Sequence, residues 1–221
     1  MPLEAVIFDM DGVLVASEDY WLEARIEWAG NLGKSWTDDD QRACMGRNTI
    51  EWAEVMRERL ELGDMPLDRI MTEVTGLVLK RLDAHLPVLP GAVEAVHRAA
   101  SAYRVALASG SPTAVIRHVT QATGLDKVFE VMVFGDDMAR GKPHPDIYLE
   151  AARQLGVAPE HCAGIEDSGN GVRALHAAGM IVIAAPSPNF PLAPDVLALA
   201  DVQIASLDEL TLDLLQSLGQ R

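Results

Sequence analysis

The chain has 221 residues, 49% of them hydrophobic and 23% charged, with a formal net charge of −15. That length gives one or two domains with ample chain for a core, and the composition is that of an ordinary soluble globular protein. The acidic balance, with no cluster of lysines and arginines to offset it, excludes a nucleic-acid surface.

Met1-Pro2-Leu3-Glu4 leads straight into a short apolar run. No basic leader, long apolar stretch or spanning segment follows, so a cytoplasmic protein without membrane partners is expected. The first apolar run covers residues 5–8 and reads as a buried strand. Within Val6 to Leu14, Asp9 and Asp11 fall at i and i+2 where this run stops. Strand side chains alternate with period two, which predicts both carboxylates on one face. Residues 17–86 then hold all four tryptophans and no strand-like run. Trp52, Val55, Met56 and Leu60 recur at helical spacing, as do Ile70, Val74, Leu77 and Val78. The interval reads as an all-helical insertion, and Pro87 and Pro90-Gly91 mark the return to the sheet.

From residue 90 onward, helices at 92–102, 112–123, 146–155 and 171–178 alternate with strands at 105–108, 131–134, 163–165, 181–184 and 202–204. Gly124, Gly156 and Gly179 stop the last three helices. Most of the strand runs are continuously apolar, as in parallel strands covered on both faces. The rhythm predicts a doubly wound α/β fold with a parallel sheet. The expected division is a core of residues 1–16 and 87–221, with 17–86 as a second, helical domain. The two cysteines, Cys44 and Cys162, lack metal-ligand spacing and read as free, buried thiols.

Four pieces at expected strand ends carry chemistry. Asp9-x-Asp11 is the first, with a plain Asp-Gly turn as its alternative. The second is Ala108-Ser109-Gly110-Ser111, where a small hydroxyl residue and glycine before a helix let backbone N–H groups approach an oxyanion. Its alternative is an N-cap serine. Lys142, between Gly141 and Pro143, offers an ammonium on a restrained backbone, or simply an exposed lysine in a turn. Glu166-Asp167, followed by Ser168-Gly169-Asn170-Gly171, puts adjacent acids at a strand end, or acids near the positive end of a capped helix. Taken together, Asp9, Asp11, Glu166 and Asp167 would crowd one crevice. Two like charges about 4 Å apart repel by ~4 kcal/mol at an effective dielectric near 20. A hard divalent cation with oxygen ligands, Mg²⁺ best of all, relieves that repulsion. Adding Lys142 and the amide-rich loop completes what phosphoryl transfer requires.

With Asp9-Met10-Asp11-Gly12-Val13, Ser109, Lys142 and Glu166-Asp167 in that order, the chain resembles the haloacid dehalogenase superfamily. The likeness is to its branch of β-phosphoglucomutases and sugar-phosphate phosphatases, and it covers nearly the whole chain. The resemblance implies a Rossmann-like core with a helical cap. It implies Asp9 as nucleophile and metal ligand, and Asp11 as acid and base whose main-chain carbonyl also helps bind Mg²⁺. Asp167 would be a further ligand, and Glu166 a ligand or a neighbour of one. Ser109, Gly110, Ser111 and Lys142 would hold the phosphoryl group. Arg47, within Met45-Gly46-Arg47-Asn48, is the candidate for a second contact to the substrate, and Trp21 and Trp52 for lining the pocket.

Three departures from the family pattern matter. Trp21 stands where mutases usually carry histidine, and Pro112 where they carry a basic residue, which favours hydrolysis over mutase activity. Ala16 replaces a common aspartate at the hinge to the cap. The expected function is Mg²⁺-dependent hydrolysis of a small phosphate monoester, a sugar or polyol phosphate. A phosphosugar mutase is the runner-up, and a phosphonatase or an idle binding protein stands further behind. The only partner expected is the phosphate ester, on a monomer, with a dimer as the alternative.

Overall fold

The structure, a computed structural model, describes residues 2–187 and 191–220. Its organising element is β1 (Ala5–Phe8), four apolar residues buried along the whole strand. Four helices follow, α1 (Glu18–Asn31), α2 (Asp38–Cys44), α3 (Thr49–Arg59) and α4 (Leu67–Ala84). The remainder alternates: α5 (Ala92–Ala100), β2 (Arg104–Ser109), α6 (Thr113–Thr123), β3 (Val131–Phe134), α7 (Asp146–Leu155), β4 (Cys162–Glu166), α8 (Gly169–Ala177), β5 (Ile181–Ala184), a short α9 (Pro194–Leu197), β6 (Val202–Gln203) and α10 (Leu212–Leu218).

All strand pairs are parallel, in the order β3-β2-β1-β4-β5-β6. The chain steps from β1 through β2 to β3, then resumes at β4 on the other side of β1. Strand order therefore reverses between β1 and β4, and a crevice opens there at the carboxyl ends. The expected doubly wound sheet is present, with small differences at the ends of elements. Helix α8 starts two residues earlier than its apolar pattern suggests, because the Ser168 hydroxyl accepts from the Gly171 N–H at 3.0 Å and caps it there.

Alternation along the strands separates two core layers. Ala5, Ile7, Ala106 and Ala108 face Tyr148, Ala151, Val172 and Leu175 of α7 and α8. Val6, Phe8, Val105 and Leu107 face the layer that holds Val96, Ile116 and Leu215.

Among the described residues between β1 and β2, the insertion contains helices and no strand, as its spacing predicts. Ile70, Val74, Val78 and Leu82, four apart, form the buried stripe of α4, and Trp28, Trp52 and Met56 are buried in the same core cluster. Capping boxes Thr37–Asp40 and Asn48–Glu51 start α2 and α3. The two connections to the sheet run side by side: Ala16 N–H donates to Pro87 O at 2.8 Å, and Leu89 N–H to Leu14 O at 2.9 Å. No helix among the described residues is long and apolar enough to cross a membrane.

Gly164 of β4 lies directly beneath Leu175 of α8, where an added Cβ would stand 2.0 Å from Leu175 Cδ2. Overpacking at such a point costs about 1–3 kcal/mol. Gly164→Ala is expected to lower the melting temperature by roughly 2–12 °C at 2–4 °C per kcal/mol for a chain of this size. An unchanged midpoint in a thermal melt would mean that α8 sits more loosely on the sheet.

Candidate active site

Strand β1 stops at Phe8, so Asp9 and Asp11 lie beyond it and strict alternation does not set both. Asp9 stays in register, its N–H donating to Ile165 O at 3.1 Å. After Asp11 the chain turns at Gly12, whose φ is +76°. Both acids nevertheless line one cavity, together with Lys142, Gly110, Ser111, Asp167 and residues of the insertion.

Lys142 is the centre of the floor and 5% exposed. Its ammonium donates to Asp9 Oδ1 at 2.7 Å, to Glu166 Oε1 at 2.6 Å and to the Ala108 carbonyl at 3.4 Å, and it lies 4.9 Å from the Tyr148 ring centre. Glu166 is wholly buried, and each of its oxygens has two donors. Oε1 takes Lys142 and the Tyr148 hydroxyl (2.7 Å); Oε2 takes the Ser168 N–H and hydroxyl, both at 3.0 Å. A carboxylate has about four lone-pair sites, so Glu166 is saturated. Asp9 keeps one oxygen, and Asp167 both, without a hydrogen bond among the described residues.

Two glycines make room for this cluster. A Cβ at Gly12 would lie 1.9 Å from Asp167 Oδ2, and one at Gly171 would lie 1.7 Å from Glu166 Oε1.

Asp11 is held differently. Ser17 and the Trp21 indole N–H (3.3 Å) donate to Oδ1, while the hydroxyls of Ser109 (3.2 Å) and Ser111 (2.7 Å) reach Oδ2. Ser109 is fully buried, and its Oγ also accepts the Ser111 N–H at 3.1 Å; Ser111 and Gly110 face the cavity. The insertion is fastened across the opening. Asn170 Nδ2 donates to Met45 O at 3.1 Å, Asn48 Nδ2 to Met138 O at 3.1 Å, and Gly141 N–H to Glu51 Oε1 at 2.9 Å.

Burial pushes the Asp9 carboxyl well above its usual range; Lys142 opposes this, while Glu166 and Asp11 add to it. Burial likewise raises Asp167, reinforced by Glu166 and Asp9. Burial also pushes Glu166 upward, but Lys142 and the donors from Ser168 and Tyr148 outweigh it and hold that carboxyl below its usual value. For Lys142, burial favours the neutral amine, yet Asp9 and Glu166 outweigh it and raise its pKa. Oxygens of Asp9, Glu166 and Asp167 lie within 4.8 Å of one another. Such a group of hard, desolvated oxygen donors, two of them on carboxyls raised by burial, suits a small divalent cation.

Arg47 is among the residues that line the cavity. Its residue is exposed and its Nε donates to Ala43 O at 2.7 Å; its main chain approaches Gly110. Trp21 and Trp52 also line the cavity. Two charged residues of α1 were missed: Arg25, 4% exposed, and Glu18, whose carboxyl is raised to about 7 by burial and then by Asp11. Glu18, Trp21, Arg25 and Trp28 follow one another on a single helical face, so two charges within a tryptophan stripe were the available signal. Tyr148 carried no signal beyond its place in an amphipathic helix.

The family model of haloacid dehalogenase-like hydrolases matches residues 3–179. A phosphorylated carbohydrates phosphatase of Thermotoga maritima is 37% identical over 179 residues, covering 80% of this chain and 82% of that protein. Hexitol phosphatase B of Escherichia coli K12 is 33% identical, covering 94% of each chain. The fold matches the crystal structure of β-phosphoglucomutase from Clostridium difficile with a TM-score of 0.85, 23% identity, and coverage of 99% and 97%.

Tyr148→Phe removes one donor from a saturated, buried carboxylate. We expect a loss of about 1–3 kcal/mol, read from the midpoint of urea unfolding. A midpoint equal to that of the unaltered chain would show that the hydroxyl gives Glu166 no support.

Proposed function

The chain belongs to the haloacid dehalogenase-like hydrolases, and we propose that it is a Mg²⁺-dependent phosphatase acting on a small sugar or polyol phosphate through an aspartyl-phosphate. The observation that carries this reading is the division of labour between the two aspartates. Asp9 sits on the cavity floor with one oxygen held by Lys142, and Asp11 stands at the wall between the insertion and the Ser109–Ser111 turn.

In this reading the other oxygen of Asp9 attacks phosphorus while the bond from phosphorus to the leaving oxygen breaks. Asp11, protonated once a serine hydroxyl beside it turns from donor to acceptor, gives that oxygen its proton. Asp11 then takes a proton from water, whose oxygen displaces Asp9 and releases phosphate. Lys142 holds Asp9 in line and offsets part of the floor's negative charge, and Ser111 with the Gly110 backbone faces the transferred group. Asp9, Asp167 and the main-chain carbonyl of Asp11 would hold Mg²⁺, which neutralises charge on the phosphoryl oxygens. Glu166 serves as the anchor of Lys142 rather than as a ligand, because its oxygens are already taken. Residues 17–86 act as the cap over a core of 1–16 and 87–221, in a monomeric cytoplasmic protein.

Two features support hydrolysis over phosphate migration within a sugar. Trp21 offers Asp11 a single N–H and no titratable nitrogen, and Pro112, which precedes α6, brings no cation to the loop. Phosphate release from a panel of sugar and polyol phosphates tests the reading. Asp9→Asn is expected to lose at least about 10³-fold of that activity, as removal of a reacting nucleophile does. Near-wild-type release with substrate in excess would remove Asp9 from its role. With β-glucose 1-phosphate and a bisphosphate activator, free phosphate should outrun glucose 6-phosphate; the reverse order would make the protein a mutase.

Mg²⁺ at about 100 times its dissociation constant adds ~2.7 kcal/mol. That is about 5–10 °C in the melting temperature of a chain this long, and Asp167→Asn should abolish the increase. A melt insensitive to Mg²⁺ would exclude a metal held by these carboxylates.

A further inference from the structure

The cavity has a second wall, made by the insertion, and its chemistry differs from that of the floor. Arg25 and Glu18 lie seven residues apart on α1, two helical turns, so they share a face. The Arg25 guanidinium carbon is 5.1 Å from the Trp21 ring centre and 5.3 Å from that of Trp52. One of its N–H groups donates to Gln41 Oε1 at 2.9 Å, while its Nε is buried with no acceptor. Among the described residues, no carboxylate lies within 4.0 Å of it, whereas Arg42, Arg59 and Arg81 of the insertion are each held in ion pairs. A buried guanidinium that faces the reacting centre, cushioned by two indoles but unpaired, is poised to donate to something that enters the cavity.

Resting on the phosphatase reading above, we propose that Arg25 and Glu18 together select a leaving group that is uncharged and rich in hydroxyls. The argument is one of complementarity. A carboxylate or second phosphate would satisfy Arg25 but would be brought up against Glu18 and Asp11, both on the same cavity wall. A hydroxyl accepts from the guanidinium and donates to the carboxylate, so it satisfies both neighbours at once. Arg47 also lines the cavity, with its Nε committed to Ala43 O at 2.7 Å, and its exposed guanidinium stays in solvent contact where Arg25 is buried. The wall thus discriminates by refusing anions as well as by welcoming polyols.

The test compares kcat/KM for three substrates: sorbitol 6-phosphate, 2-phosphoglycolate as the anionic case, and acetyl phosphate as a measure of phosphoryl chemistry with no hydroxyl to read. The unaltered enzyme should prefer sorbitol 6-phosphate to 2-phosphoglycolate by at least 100-fold. Arg25→Met should lower the ratio of sorbitol 6-phosphate to acetyl phosphate at least 20-fold, chiefly through KM. Arg25→Lys should restore part of that ratio. Glu18→Gln should narrow the discrimination against 2-phosphoglycolate at least fivefold, and it keeps the test available if Arg25→Met does not fold. If Arg25 only braces the insertion, sorbitol 6-phosphate and acetyl phosphate will decline in proportion; an unchanged ratio overturns the proposal. A preference for 2-phosphoglycolate that Arg25→Met abolishes also overturns it, because the arginine would then read an anion. Failure of the unaltered protein to release phosphate from any of the three would instead overturn the phosphatase reading itself.

Discussion

Lys142 is a buried ammonium set among three buried carboxylates, and the placement of every other group in the site answers to it. An isolated charge in such surroundings is costly to desolvate, and breaking a buried ion pair by removing one member costs about 3–5 kcal/mol. Lys142 meets that cost with a short bond to Asp9, just after β1, and another to Glu166, the last residue of β4. It thereby joins the two strands across the point where the sheet reverses its order. The electrostatics are still unbalanced: with all three acids ionised, one ammonium leaves an excess of two negative charges, the charge of one divalent cation. That imbalance, and the upward push on Asp9 and Asp167, are what a divalent cation would relieve.

Much of this is legible in the sequence, and the reasons are physical. Apolar runs that end in Asp9, Ser109 and Glu166 can only be strands buried on both faces, and a parallel sheet gathers such ends along one edge. The tryptophan-rich interval had helical spacing and no alternation, so its content was readable too. What sequence spacing could not convey was direction and occupancy. Arg47 sits in a suggestive motif between α2 and α3 and lines the cavity, yet its Nε is bound to a carbonyl of α2, which spacing could not show. Glu166 has the composition of a metal ligand and its oxygens do lie with those of Asp9 and Asp167, but they also accept four donors, three of them from Tyr148 and Ser168, whose roles are invisible without the fold. Arg25 was hidden by its company, since charges inside an apolar stripe look like solvent-facing interruptions until the stripe is seen to border a cavity.

The joint between core and insertion trades stability for placement. Ser17 occupies the N-cap position of α1, but its hydroxyl does not cap the helix; it reaches Asp11 instead. A serine cap is worth about 0.5–2 kcal/mol, and here that is forgone. The gain is that Asp11 is gripped from both sides, by Ser17 and Trp21 on the insertion's side and by Ser109 and Ser111 on the sheet's side. The acid's orientation and the seating of the insertion are thereby coupled through the same hydrogen bonds.

Gly12 and Gly171 show the site in negative relief. Each occupies a point where the smallest possible side chain would overlap a carboxylate, Asp167 in one case and Glu166 in the other. The charged groups are therefore moulded by two residues that contribute no functional atom. Drift in the lineage could silence this chemistry through a single methyl group at either glycine, with every acid and the lysine left in place. A descendant altered in that way would keep the appearance of an enzyme in its motifs while having lost the hollow that gives them their geometry.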